Sequence, residues 1–426
     1  MKLLFSQPKP GAASPKFSST GDRIFSVYVG STTVAAELLN RKLKIVASIP
    51  VSAERFTAIQ GGDASPAFDK FTLLDSDANN VGRLRLFTLN AKHELNIIAE
   101  QLFTSTHFFL GGRFSSDGKY IAITFVNTAL STPDKQISTL AVLKADTTLD
   151  IVSTTSFPYH TNGAYFLQGK FHLSKSAEKT KETFIVIPSG NSSANPPFLA
   201  SPAFLSVYHL KKRKIDLITK AALPQYPNVC DVFVRNTRAY IAIGTRAAFL
   251  PNEATIVNTN QHDSFLANDG DEIRLYSFSP IQKLQLQYSG GNNAGIAPMV
   301  YCKQRDLLLI GYNPINPGPV VLSLFSFVEL TSKEEQKLEL QPFTGPVFDS
   351  DSILAASFSG SGHLLTTGGS TLSLWQLPKE KEKPTEEASK SVWRLRLPFT
   401  GSTSKKENSS SSESEQDDAE EKQKQQ

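Results

Sequence analysis

The stretch from Phe114 to Phe125 reads FSSDGKYIAITF and contains an apolar anchor, a Ser-Asp-Gly turn and an alternating run of aromatic and β-branched residues. A turn followed by such alternation predicts a β-strand. The same design returns from Phe17 as FSSTGDRIFSVYV and from Phe358 as FSGSGHLLTTGG. A unit that recurs along the chain predicts a repeat architecture built from one supersecondary element.

A second part of the unit is a strand of Leu-x-Leu or Leu-x-Ile type that follows a short polar turn. Seven copies occur, and their cores begin at Leu43, Leu95, Leu149, Ile215, Leu284, Leu338 and Leu395. Successive copies lie 52 to 69 residues apart, which suits a four-stranded blade of about 45 residues plus insertions. Helical periodicity is absent except weakly near the C-terminus, so we expect an all-β protein.

The repeated unit resembles that of the seven-bladed β-propellers of the WD-repeat and lactonase-like (YVTN-type) group, over about residues 15 to 401. Two departures stand out: no Trp-Asp pair occurs, and the single Gly-His pair, Gly362-His363, is not repeated. The resemblance implies an all-β, seven-bladed propeller with four antiparallel strands in each blade. In such a ring every blade packs on its neighbours, which buries both of its apolar faces.

Two segments compete for the outermost strand of the seventh blade. VWRLRLPFTG, at Val392 to Gly401, closely matches QKLELQPFTG one blade earlier, whereas the N-terminal segment 1–14 contains MKLLFSQP. We favour Val392 to Gly401, and keep the N-terminal segment as the alternative closing strand. This choice makes residues 15–401 the propeller and 379–390, KEKEKPTEEASK, a charged surface loop.

Residues 402–426 are rich in Ser, Glu and Gln and hold Ala419 as their one aliphatic residue. Such a segment cannot bury enough apolar surface to offset its ordering entropy, so we expect a disordered acidic tail. Ser410, Ser412 and Ser414 each have an acidic residue three positions on, a pattern that acidic-directed kinases prefer, and they are weak phosphorylation candidates against the alternative of a solubilising tail.

Charge distribution, apolar runs and cysteine positions each argue against certain functions or locations of the protein. Basic and acidic residues number 44 and 40 and are spread along the chain, which argues against nucleic-acid binding. No apolar run is long enough for a membrane span or a secretory signal. Cys230 and Cys302 lie in apolar strands without metal-ligand spacing and are expected to be buried and reduced. We therefore expect a cytoplasmic monomer without cofactors; the alternative is an exported effector, because the polar C-terminus resembles bacterial type IV export signals.

The favoured function is a non-enzymatic scaffold that binds a protein partner. In propellers of this type the connections between second and third strands share one rim, and here those of blades three to six are long and irregular. Such connections are usually functional or disordered. The candidate binding residues are Pro188, Asn195, Phe198, Phe249, Asn252, His262, Phe265 and Asn316.

The alternative function is a lactonase-like hydrolase of small lactones or sugar acids in the central pocket. Its catalytic candidates on the inner strands are His107, Arg113 and His172. A weaker hypothesis places a metal ion at Asp269, Asp271 and Glu272, although the ligand spacing of a calcium-binding loop is absent. Asp69, Asp75 and Asp77 could supply carboxylates for acid–base chemistry, but Asp75 and Asp77 precede an Asn-Asn-Val-Gly turn and are more simply read as turn formers.

Overall fold

The computed structural model describes residues 1–377 with internal gaps. The gaps are at 9–11, 30–33, 52–55, 78, 80, 91, 93, 105, 133–135, 162, 175–177, 191–202, 225, 247–270, 293–294, 314–319, 332–335, 344–346, 350–352 and 369–370. The described residues form thirty β-strands and no helix, and these strands make seven antiparallel sheets. The predicted charged loop at 379–390 and the predicted tail at 402–426 lie outside this part of the chain.

The sheets follow one another along the chain as blades. The N-terminal strand is β1 (Lys2–Pro8), and blade one contains β2 (Ala12–Phe17), β3 (Arg23–Val29), β4 (Val34–Asn40) and β5 (Ile45–Val51). Blade two contains β6 (Phe56–Ala64), β7 (Lys70–Asp77), β8 (Gly82–Leu89) and β9 (Leu95–Phe103). Blade three contains β10 (Thr106–Phe114), β11 (Tyr120–Asn127), β12 (Ile137–Lys144) and β13 (Ile151–Pro158).

The remaining blades keep this order, with short additional strands in two of them. Blade four contains β14 (His160–Thr161), β15 (Tyr165–His172), β16 (Lys179–Gly190), β17 (Ala203–Lys211) and β18 (Lys214–Leu223). Blade five contains β19 (Tyr226–Arg235), β20 (Arg238–Arg246), β21 (Asp271–Ser279) and β22 (Lys283–Asn292). Blade six contains β23 (Gly295–Cys302), β24 (Leu307–Asn313), β25 (Val320–Thr331), β26 (Gln336–Pro342) and β27 (Val347–Asp349), and blade seven contains β28 (Ile353–Phe358), β29 (His363–Gly368) and β30 (Thr371–Gln376).

Seven apolar clusters hold the blades together, one at each junction between consecutive blades, including the junction of blade seven with blade one. Alternate residues of each second strand point to opposite neighbours. In β11, Ile121 and Ile123 pack against blade two, whereas Ala122 packs against blade four. Because both faces of every blade are buried and the last blade meets the first, the molecule is a closed seven-bladed β-propeller, as predicted.

The turn within FSSDGKYIAITF joins β10 to β11 and is held by Ser115. Its hydroxyl donates to Asp117 Oδ1 at 2.7 Å and accepts a hydrogen bond from the Tyr120 backbone N–H at 3.0 Å. Gly118 has a φ of +69°, a left-handed conformation that suits glycine. Equivalent serines bind the backbone N–H at the start of the second strand in blades one, two and seven: Ser18, Ser65 and Ser359.

The ring is closed by the N-terminal strand. β1 pairs with β30 in antiparallel register, with Lys2 opposite Gln376 and Pro8 opposite Thr371, while β29 occupies the other edge of β30. Since a strand has only two edges, the prediction that Val392 to Gly401 pairs with β30 is wrong. Leu4 and Met1 add to the apolar clusters on either side of blade seven, which explains why β1 suits this position.

Candidate functional site

Each blade has an equivalent position in its inner strand whose side chain faces the following blade. It is recognised by its partner in the second strand, which also points to the following blade. The residues at this position in the seven blades are Lys16, Asp63, Arg113, Tyr165, Asp231, Val300 and Ser357. We call these seven residues the inner belt. It contains two cations and two carboxylates, and so brings charge to the centre of the ring.

Three residues of the inner belt bind the backbone of the following blade. Asp63 Oδ2 accepts a hydrogen bond from the Phe114 N–H at 2.8 Å, and Asp231 Oδ2 accepts one from the Tyr301 N–H at 2.6 Å. The Ser357 hydroxyl accepts the Phe17 N–H at 3.4 Å, a longer contact across the closing junction. These acceptors satisfy backbone donors at blade junctions, where an unpaired buried donor would cost stability.

The two cations of the inner belt also contact the following blade. Lys16 Nζ lies 3.4 Å from Asp63 Oδ1, and the guanidinium of Arg113 lies over the ring of Tyr165, 4.2 Å from its centroid. Stacking of a guanidinium on an aromatic ring is favourable and leaves its N–H groups at the ring edge. Each charged side chain of the belt is therefore already engaged with a neighbouring blade.

Burial and mutual attraction shift the pKa values of the belt. Burial alone lowers the pKa of Arg113, but Tyr165, Asp63 and Asp231 outweigh it and leave the pKa above its ordinary value, so the guanidinium stays charged. Burial raises the pKa of Tyr165 to about 12. Burial also raises the pKa of the Asp231 carboxyl, although hydrogen bonds from the Tyr301 and Val232 N–H groups act in the opposite direction.

Of the three catalytic candidates, Arg113 alone is placed in the inner belt. His172 is exposed at the far end of β15, seven residues beyond Tyr165, which corresponds to about 23 Å along a strand. His107 lies in β10, and its side chain is outside the described part of the structure. The described residues therefore do not bring Arg113 and His172 together as a catalytic pair.

A buried ion cluster lies within blade two. Asp75 is fully buried and accepts hydrogen bonds from Arg83 Nε at 2.9 Å, Arg83 Nη2 at 2.8 Å and Arg85 Nη2 at 2.6 Å. The turn-former interpretation is wrong for Asp75, because its carboxylate is turned to these guanidinium groups. It holds for Asp77, whose side chain accepts the Val81 N–H at 2.8 Å. Asp69 accepts the Ser65 hydroxyl at 2.6 Å.

The strand ends place the long connections on one rim. In blades three to six the second strand ends and the third begins at the same end of the sheet, so the connections 128–136, 191–202, 247–270 and 314–319 leave from one side of the ring. Pro188 is buried in β16 and does not contribute to an exposed surface. The other binding candidates lie outside the described residues: Asn195, Phe198, Phe249, Asn252, His262, Phe265 and Asn316.

The described part of the blade-three connection is an ordered turn that exposes an apolar side chain. The Asn127 side chain accepts the Ala129 N–H at 3.1 Å, and the Ser131 hydroxyl donates to the Asn127 carbonyl at 2.7 Å and accepts the Ile137 N–H at 2.9 Å. Leu130, at the tip, is 52% exposed. The rim of blade three therefore presents an apolar side chain on a turn that is fixed by hydrogen bonds.

The same rim of blade four presents aromatic rings. Tyr159 and Phe204 lie with ring centroids 6.3 Å apart, and Lys220 Nζ lies 3.4 Å from the centroid of Phe204. Both rings are partly exposed, so they combine apolar contact area with few rotatable bonds. The rim therefore carries side chains of the kinds that dominate protein interfaces.

The metal hypothesis receives no support from the described residues. Among them no group of three His, Cys, Asp or Glu side chains is arranged to hold a metal ion. Asp269 lies outside the described part of the chain, as do the side chains of Asp271 and Glu272 at the start of β21. The phosphorylation candidates Ser410, Ser412 and Ser414 also lie outside it.

Cys230 and Cys302 are both buried and free, as predicted. In the part of the chain that the structure describes, no helix is long and apolar enough to span a membrane.

Comparison with known proteins identifies the fold of the chain. No protein-family model matches the chain, and no curated protein matches it. The β-propeller domain of Myceliophteria thermophila Cps50 (Swd1) is similar in structure, with a TM-score of 0.50 and 8% identity over 88% of this chain and 100% of that one. Hydrazine synthase from Kuenenia stuttgartiensis is also similar, with a TM-score of 0.54 and 9% identity over 87% of this chain and 96% of that one. At such identities the likeness shows that the chain has the β-propeller fold.

Proposed function

We propose that the protein is a non-enzymatic scaffold that binds a protein partner through the rim formed by the second-to-third-strand connections of blades three to six. The observation that carries this proposal is the placement of these four consecutive long connections on one sector of one rim. Connections of this kind carry function more often than the strands they join.

The described residues of the rim support a protein partner. Leu130 is exposed on a turn fixed by Asn127 and Ser131, and Phe204 and Tyr159 lie on the neighbouring blade. Aromatic side chains such as Tyr159 and Phe204 are enriched at protein interfaces, and the exposed Leu130 adds apolar contact area. A partner that covers these side chains would recover the apolar area that the free protein leaves in water.

The state of the inner belt explains why we prefer binding to catalysis. Both carboxylates bind backbone N–H groups of the following blade, Lys16 pairs with Asp63, and Arg113 stacks on Tyr165. A general base must be free to accept a proton from a substrate. The charged belt residues already have partners across the blade junctions, and His172, a second catalytic candidate, is exposed at the far end of β15.

The test uses the full chain as bait in affinity capture, with bound proteins identified by mass spectrometry and then titrated against the purified chain. One variant carries Leu130→Asp and a second replaces residues 249–268 by a short Gly-Ser linker. The control is Arg213→Asp in the exposed β17–β18 turn, which lies on the opposite rim.

We expect a partner whose affinity falls at least tenfold in both rim variants and is unchanged in Arg213→Asp. Thermal unfolding at the wild-type temperature would show that the variants are folded. If every captured protein binds the rim variants as tightly as the wild type, the proposal is refuted. Turnover of a lactone that is lost in Arg113→Ala would instead favour the hydrolase.

A further inference from the structure

The first hairpin of blade four extends well beyond that of blade three. β15 ends at His172, seven residues past the inner-belt residue Tyr165, whereas β10 ends one residue past Arg113. At about 3.3 Å per residue, the β15–β16 hairpin reaches roughly 20 Å further along the strand direction. The hairpin lies on the rim opposite to the long connections, at the same end of the sheet as the β17–β18 turn.

The two faces of this hairpin differ in what covers them. Leu167 and Phe171 of β15 point to blade five and are buried, and Phe171 packs on Phe278 with ring centroids 6.3 Å apart. Gln168 points to blade three, where its side-chain oxygen accepts the Asp117 N–H at 3.0 Å. Because the blade-three turn contacts the hairpin at Gln168, the part of this face that extends further is exposed.

The exposed face carries three lysines and a histidine. They form two cross-strand pairs, Lys170 with Lys181 and His172 with Lys179, and all four side chains are exposed. Lys170 and His172 lie two and four residues beyond Gln168 on β15, so they and their partners share its face. We call these four residues the cationic ledge.

The charge of the cationic ledge is poorly neutralised. Lys181 Nζ lies 4.0 Å from Asp117 Oδ2, at the limit of an ion pair. Among the described residues no carboxylate lies within that distance of Lys170 or Lys179. Like charges directly opposite one another on a sheet repel and destabilise it. The ledge therefore holds surplus positive charge that a bound anion would neutralise.

The spacing and surroundings of the ledge fit an extended acidic peptide. Lys179 and Lys181 are alternate residues of β16, about 7 Å apart along the strand, which is also the spacing of same-face side chains in an extended peptide. Beyond the blade-three turn lies a groove between blades two and three that mixes both charges: Asp69, Asp117, Asp146, Lys70, Lys119 and Lys144. A nucleic-acid backbone that continued from the ledge would meet these carboxylates, whereas a peptide can place a side chain of either sign there.

We propose that the cationic ledge binds an acidic segment of a protein partner in an extended conformation. Carboxylates at alternate positions of the segment pair with Lys179 and Lys181, and Lys170 shares the carboxylate beside Lys181. A bound carboxylate removes the repulsion between the opposed lysines, and complementary charge speeds association. Because the ledge lies on the rim opposite to the long connections, this site is separate from the one proposed above.

The test measures binding of fluorescent probes to the full chain by anisotropy in low salt. The main probe is a peptide of about ten residues that alternates Glu with Thr, long enough to span the ledge. A Lys-Thr peptide and an oligothymidylate of the same length are the comparison probes. The variant Lys170→Ser/Lys181→Ser removes an opposed pair of the ledge. The matched control Lys211→Ser/Lys214→Ser removes an opposed pair outside it, in which Lys214 Nζ lies 2.7 Å from Asp216 Oδ1.

We expect the Glu-Thr peptide to bind the wild type and the control alike, and to bind the ledge variant roughly fivefold more weakly. Added salt should weaken binding to the wild type, and the Lys-Thr peptide should not bind. The ledge variant should melt no lower than the wild type, because a repulsive pair is removed. Failure of the Glu-Thr peptide to bind the wild type, equal losses in the two variants, or tighter binding of the oligothymidylate would each overturn the proposal.

Discussion

Replacement of Asp63 by Ala tests whether the inner belt holds the blades together. Asp63 is 5% exposed, and its carboxylate accepts the Phe114 N–H at 2.8 Å and lies 3.4 Å from Lys16 Nζ. Loss of a hydrogen bond to a charged acceptor, with a buried N–H left unpaired, costs roughly 1.5–3 kcal/mol. The lysine side chain is one-third exposed, so its ion pair adds under about 1 kcal/mol.

The expected total is a loss of about 2–4 kcal/mol in the free energy of unfolding. For a chain of this size the unfolding entropy is about 0.8 kcal/mol per degree, so the melting temperature should fall by roughly 3–5 °C. Asp63→Asn keeps an acceptor for the N–H and should lose less than half as much. Circular dichroism during heating and urea titration both measure the effect. A melting temperature within one degree of wild type for Asp63→Ala, or equal losses in both variants, would show that the Asp63 carboxylate does not hold blades two and three together.

Three other perturbations have defined outcomes. Asp75→Ala leaves the buried guanidinium of Arg85 without its counter-ion and should cost about 3–5 kcal/mol in urea unfolding; a loss below 1 kcal/mol contradicts the ion cluster. Gly118→Ala forces an L-residue to a positive φ and should cost about 1 kcal/mol, whereas Gly118→Asn should cost less, which thermal melts can resolve. Burial raises the pKa of Glu182, but hydrogen bonds from Thr180 and His209 outweigh it and lower the pKa below 4.5. Glu182→Gln should therefore reduce stability at pH 7, and the difference should shrink as the pH falls through that lowered pKa; a difference that grows in acid would contradict this sign.

The fold could be predicted because its signal is repeated. The Ser-x-x-Gly turn after Phe17, Phe114 and Phe358 begins the second strand in three blades, and Leu-x-Leu segments form the outermost strands of six. The outermost strand of blade seven was predicted wrongly, since MKLLFSQP and VWRLRLPFTG both have the composition of an apolar strand. Which of the two segments pairs with β30 depends on the path of the chain ends around the ring, and local composition does not report that path.

The inner belt was not predicted as a set, although Arg113 was one of the catalytic candidates. Its members, among them Lys16, Asp63, Arg113 and Ser357, have nothing in common in chemistry, so no composition or spacing rule finds them. Their shared feature is position, since these four directly precede the last residue of their inner strand. Asp75 was misread because the turn residues beside it suggested a local role, although the hairpin register places Arg83 directly opposite it.

We propose that a protein partner binds the rim of blades three to six. Hydrogen–deuterium exchange of the full chain, free and bound to a captured partner, would show which surface the partner covers. We expect slower exchange in the connections 128–136, 191–202, 247–270 and 314–319, and unchanged exchange in the β17–β18 turn on the opposite rim. Protection confined to that opposite rim, or to the inner strands around Arg113, would contradict it.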